Sequence, residues 1–117
     1  MASSNVVFES SLSFMTNDAT ALNNKAFTLY SSGKYNEAIA YYDKSLAIEP
    51  NYPTALNNKA LALLKLEKPN DAITYIDKAL AIDPNDAESL NTKGVTLANL
   101  GRYYEAIKYI DSYSDKT

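Results

Sequence analysis

The stretch Ala21-Leu22-Asn23-Asn24-Lys25-Ala26 returns as Ala55-Leu56-Asn57-Asn58-Lys59-Ala60, and again, altered, as Ser89-Leu90-Asn91-Thr92-Lys93-Gly94. The offset is 34 residues each time. A second stretch, Asp43-Lys44-Ser45-Leu46-Ala47-Ile48-Glu49-Pro50-Asn51, returns at the same offset as Asp77-Lys78-Ala79-Leu80-Ala81-Ile82-Asp83-Pro84-Asn85. Residues 19–52 and 53–86 agree at 20 of 34 positions, and residues 87–117 agree with the second block at 10 of 31. Self-similarity at a fixed period of this size marks a stack of like units, none of which buries its apolar face alone.

Each block reads as two helices. Leu22, Ala26 and Leu29 stand at i, i+4 and i+7, which gives the first helix one apolar face. Gly33, free to take a positive φ, ends it. The second helix starts near Tyr35, buries Ala38, Ile39, Tyr42, Leu46 and Ile48, and stops at Pro50. Pro53 suits the first turn of the next helix, and Asp86 suits an N-cap. Links of a few residues force each pair to be antiparallel.

A 34-residue helix–turn–helix with this punctuation resembles the tetratricopeptide repeat (TPR) family. The first block supplies Leu22, Ala26, Leu29, Gly33, Tyr35, Ala38, Tyr42, Ser45 and Pro50 at the family's positions. The second supplies Leu56, Ala60, Leu63, Ala72, Ile76, Ala79 and Pro84, with Glu67 and Pro69 standing where Gly and Tyr are expected. The third supplies Leu90, Gly94, Leu97, Gly101, Tyr103, Ala106 and Ile110, then drifts at Tyr113. The resemblance implies an all-α fold, a right-handed superhelical solenoid of antiparallel helix pairs. Its repeats would be residues 19–52, 53–86 and 87–117. Slid back by one repeat, residues 4–14 lie over residues 38–48, with small, aromatic, acidic and Leu positions coinciding. Residues 1–18 are therefore expected to form a degenerate second-type helix, making seven helices in all. A strand through Val6, Phe8, Leu12 and Phe14 is the alternative.

Composition narrows the function. The chain has 117 residues, 11 Lys plus Arg, 14 Asp plus Glu and a net charge of −3, which argues against a nucleic-acid partner. With no Cys and no His, the thiolate nucleophile, the imidazole base and the usual metal ligands are missing. Three scattered glycines make no phosphate loop. Asp83-Pro84-Asn85-Asp86 lacks the glycine and distant Glu of a calcium loop. Asp71, Asp77 and Asp83 lie six apart and share no helix face. No enzyme activity, cofactor or metal is expected. A cytoplasmic chain with no membrane association is the default, since no run approaches a membrane span in length and the start lacks a signal peptide's basic region.

The resemblance also implies a site. In TPR proteins the first helix of each pair lines the concave face. The matching residues here are Asn23, Asn24, Phe27 and Tyr30; Asn57, Asn58, Leu61 and Leu64; and Asn91, Thr92 and Val95. An Asn amide offers donor and acceptor together, so a ladder of them would hold a peptide backbone. This resembles the asparagine ladder in the TPR superhelix of protein O-GlcNAc transferases. The family's two-carboxylate clamp for chaperone C-termini fits poorly. At its five positions the chain has Asn23, Phe27, Asn58, Glu88 and Thr92, and only Asn58 matches. Lys25, Lys59 and Lys93 recur and could form a basic line, while Tyr41, Tyr75 and Tyr109 read as packing residues with wet hydroxyls.

Two functions from different classes follow. One is a non-catalytic protein–protein interaction module that takes an extended peptide or partner helix in its groove. The other is a self-assembling scaffold whose uncovered ends meet, either head to tail or by a swap of residues 1–18. The end residues would be Val7, Phe8, Leu12 and Phe14 on one side and Tyr103, Ile107 and Ile110 on the other, giving a homo-oligomer.

Overall fold

A computed structural model describes residues 18–116, and all regular structure among them is helical. The expected N-terminal helix, with Val7, Phe8, Leu12 and Phe14, lies outside the described residues. The chain divides into two compact units, residues 1–50 and 51–117.

The first unit holds α1 (Ala19–Ser31) and α2 (Tyr35–Ile48), packed against each other. Asp18 caps α1, its carboxylate accepting from the Thr20 N–H at 2.7 Å. Leu22 and Ala26 of α1 and Ala38 and Tyr42 of α2 are buried in the core. Ser45 is also buried, and its Oγ donates to the Ala19 carbonyl at 2.7 Å, tying the end of α2 to the start of α1. The expected core was larger. Ile48, in the last turn of α2, is exposed, and Ile39 and Leu46 are only half-buried. Helical periodicity says which residues share a face; it does not say how far along the helix a neighbour covers that face.

The second unit holds α3 (Pro53–Lys65), α4 (Pro69–Ile82), α5 (Ala87–Asn99) and α6 (Tyr103–Lys116). Proline at the first position of α3 and α4 forfeits only an N–H that the helix leaves unpaired anyway. The pairs α3–α4 and α5–α6 pack along their lengths, α4 also packs on α5, and α3 touches α5. Leu56, Ala60 and Leu63 of α3, Ala72, Ile76 and Ala79 of α4, Leu90 and Leu97 of α5 and Ala106 of α6 are buried. Gly94 sits where the other first helices carry alanine. A Cβ there would meet Ile110 Cγ1 at 2.7 Å and the α6 backbone at 3.3 and 3.4 Å, so α5 and α6 approach more closely than a side chain permits. Asp86 is the N-cap residue of α5, as expected, but its carboxylate makes no bond to the helix backbone and accepts instead from the Ser89 hydroxyl.

The three pair-internal turns share one geometry. Lys34, Lys68 and Arg102 each donate to the carbonyl five residues back at 2.9 Å. Gly33, Glu67 and Gly101 each donate to the carbonyl three residues back at 3.0 Å. These are Schellman caps, which need a left-handed residue at their centre. Gly33 has φ 81° and Gly101 φ 78°; Glu67 takes φ 60° in the same place without being glycine.

Candidate functional site

The first helix of each pair carries the candidate residues, and their surroundings differ. On α1, Asn23 is buried, Asn24 exposed and Tyr30 half-buried, while Phe27 is 50% exposed. Phe27 stacks on Tyr30 with ring centroids 6.1 Å apart, and Tyr30 meets Tyr35 edge-on at 5.4 Å. On α3, Asn57 is 2% exposed, whereas Asn58, Leu61 and Leu64 are half-buried. On α5, Asn91 is half-buried, Val95 exposed and Thr92 buried, its hydroxyl donating to the Glu88 carbonyl at 2.8 Å. The helix that carries Asn57, Asn58 and Leu61 touches the one that carries Asn91 and Val95. Asn57 is the most enclosed of them. Its Oδ1 is buried and has no hydrogen-bond partner among the described residues, a costly state for a carbonyl oxygen.

Two residue series that the sequence presents separately turn out to be partners. Lys25 Nζ lies 4.7 Å from the Tyr41 ring centroid, Lys59 lies 3.9 Å from that of Tyr75, and Lys93 lies 4.4 Å from that of Tyr109. Lys44 and Lys78 cover the rings of Tyr41 and Tyr75 as well. Each helix pair is thus stitched by a cation on an aromatic face. Lys93 does more, reaching Asp77 of α4 at 2.7 Å and the Tyr109 hydroxyl of α6 at 3.0 Å, so one ammonium joins three helices. Burial pulls Lys93 downward, but its bonds to Asp77 and Tyr109 outweigh that, and its pKa stands above the ordinary lysine value. In each pair the lysine serves as a packing cation on a tyrosine ring. Tyr42 is wholly buried, and this burial, aided by Tyr30, raises its phenol well above the ordinary value. Its hydroxyl also lacks a partner among the described residues.

At the far end of the second unit, α6 exposes Tyr103 (64%), Tyr104 (93%), Ile107 (54%) and Ile110 (38%). Tyr103, Ile107 and Ile110 form the expected stripe, and Tyr104, which was not expected, lies about a quarter-turn from it. Among the described residues no helix is long and apolar enough to cross a membrane.

A tetratricopeptide repeat model matches residues 29–93, and a second matches residues 87–112. The chain belongs to the tetratricopeptide repeat family. No curated sequence matches it. Solved structures resemble it closely. The first TPR of Spaghetti (RPAP3), bound to HSP90 peptide SRMEEVD, is 26% identical over 86% of this chain and 82% of that one, with a TM-score of 0.83. The second TPR of the same protein, bound to the same peptide, is 22% identical over 87% and 94%, with a TM-score of 0.82. MamA is 21% identical over 86% of this chain and 59% of its own, with a TM-score of 0.80. The fold is therefore an all-α array of TPR helix pairs.

Proposed function

We propose that this protein is a non-catalytic interaction module that holds an extended peptide or a partner helix against the first helices of its repeats. The observation that carries this reading is the contact between α3, which bears Asn58, Leu61 and Leu64, and α5, which bears Asn91 and Val95. Amides that pair with a peptide backbone then sit next to partly exposed aliphatic side chains that take its side chains. The peptide-bound TPR neighbours support the class of ligand. Their acidic peptide does not carry over, because the clamp positions here hold Phe27, Glu88 and Thr92, with no cation to meet a carboxylate.

The test uses a peptide selected on this protein from a random phage library, with affinity read by fluorescence anisotropy. Asn58→Ala, Asn91→Ala and Leu61→Asp should each weaken binding by about tenfold or more. Asn57→Ala is the poorer probe, since its enclosed amide makes the variant a packing change as well. Affinity indifferent to all three substitutions would end the groove reading. A second reading, a scaffold that assembles through its ends, is favoured by the exposed apolar residues of α6. Light scattering that shows a constant monomer mass over a wide concentration range would dispose of it.

A further inference from the structure

The open face of α6 has a covered counterpart within the same unit. Thirty-four residues before Ile107 and Ile110 stand Ile73, half-buried, and Ile76, fully buried, on the helix that packs against α5. Asp111 has the same relation to Asp77: Asp77 grips Lys93 of α5 at 2.7 Å, whereas Asp111 is exposed. Ser89, Lys93 and Thr96 stand at i, i+4 and i+7 on one face of α5. Ser89 and Thr96 are wholly buried, and the lysine between them supplies the cation. Along this seam, a helix with an aliphatic patch and a carboxylate packs on one that carries a lysine between two buried small side chains.

The same trio recurs as Ala21, Lys25 and Thr28 on α1. Here it is open. Ala21 is half-buried and Lys25 and Thr28 are exposed, while the equivalent Ala55 and Ala62 of α3 are wholly buried. We propose that α6 of one molecule docks on the Ala21–Lys25–Thr28 face of α1 in a second copy of this chain, Asp111 pairing with Lys25 of that copy as Asp77 pairs with Lys93. The proposal rests on the scaffold reading above and names the surface that α6 meets. It continues the α4–α5 seam from one molecule into the next, and its charges are complementary. Because the two faces differ, association is head to tail, and copies add until the rotation per contact closes a ring or, where it does not close, without limit.

Sedimentation of the full chain over about a hundredfold concentration range tests this. The wild-type mass should climb steadily. Ile107→Asp and Thr28→Arg, each with unchanged helical circular dichroism, should stay monomeric alone and form a 1:1 complex that grows no further when mixed. Asp111→Lys and Lys25→Asp should each weaken association about tenfold, and the double variant should recover most of the loss. Association that survives Lys25→Asp and Thr28→Arg but falls with Ile107→Asp overturns this partner surface and leaves the scaffold reading standing. A wild type that is monomeric throughout overturns both. A chain that associates only after removal of residues 1–17 also overturns the proposal, by showing that segment to be the occupant.

Discussion

Glu67 is held at φ 60° in a cap whose two equivalents are glycines, so Glu67→Gly should stabilise the protein. The hydrogen bonds of the three caps have the same lengths, 3.0 Å from the central residue and 2.9 Å from the next. The substitution therefore changes no bond and removes only the crowding of Cβ against the following carbonyl, worth about 1–2 kcal/mol. Against this, glycine gives the unfolded chain extra freedom, which takes back about 0.5–1 kcal/mol. The net gain is about 0.5–1 kcal/mol. With a urea slope of about 1–3 kcal/mol/M, the unfolding midpoint should rise by a few tenths of a molar. Glu67→Asn should give a smaller rise, since asparagine tolerates the left-handed region better than glutamate does. The reverse change, Gly101→Glu, should lower the midpoint by a similar amount. An unchanged or lower midpoint for Glu67→Gly would refute the claim that strain resides in this cap.

Three further outcomes follow from the packing. Tyr42→Phe removes a buried hydroxyl that lacks a partner among the described residues, so stability by urea unfolding should hold or rise by up to about 1 kcal/mol; a loss of that size would reveal a bond the hydroxyl makes. Lys93→Met should cost about 1 kcal/mol, discounted because Asp77 is half exposed. Since the folded lysine pKa is raised, its stabilisation is fully present below the unfolded value of about 10.4 and is lost as pH climbs through the folded one. The gap between wild type and Lys93→Met should thus be flat from pH 6 to 9 and close only in stronger alkali, and a gap that closes below pH 9 would contradict the assignment. Gly94→Leu drives a side chain into the α6 backbone and should cost about 2 kcal/mol or more despite glycine's poor helix propensity; a variant as stable as wild type by the same unfolding assay would contradict the close approach.

Much of the fold was legible because its signals are local. Gly33, Gly101, Pro50 and Pro53 act on their own stretch of backbone, and the recurring leucines mark the helix faces. The departure at Glu67 was legible too, although only the structure shows that the backbone keeps its left-handed turn there. The Lys–Tyr stitches were not, because their partners sit 16 residues apart on different helices and no single-helix pattern links them. Burial of Asn23 and Asn57 was equally hidden. A polar residue on a helix face is solvated or enclosed according to neighbouring elements, which periodicity does not report. The exposed Ile48 is the same lesson with the sign reversed.

The groove reading has one decisive measurement, the map of amide shifts when a phage-selected peptide is titrated into isotopically labelled protein. The account predicts the largest changes at Asn58, Leu61, Asn91 and Val95, with the α6 amides nearly still. Shifts confined to α6, or scattered without focus on α3 and α5, would contradict it.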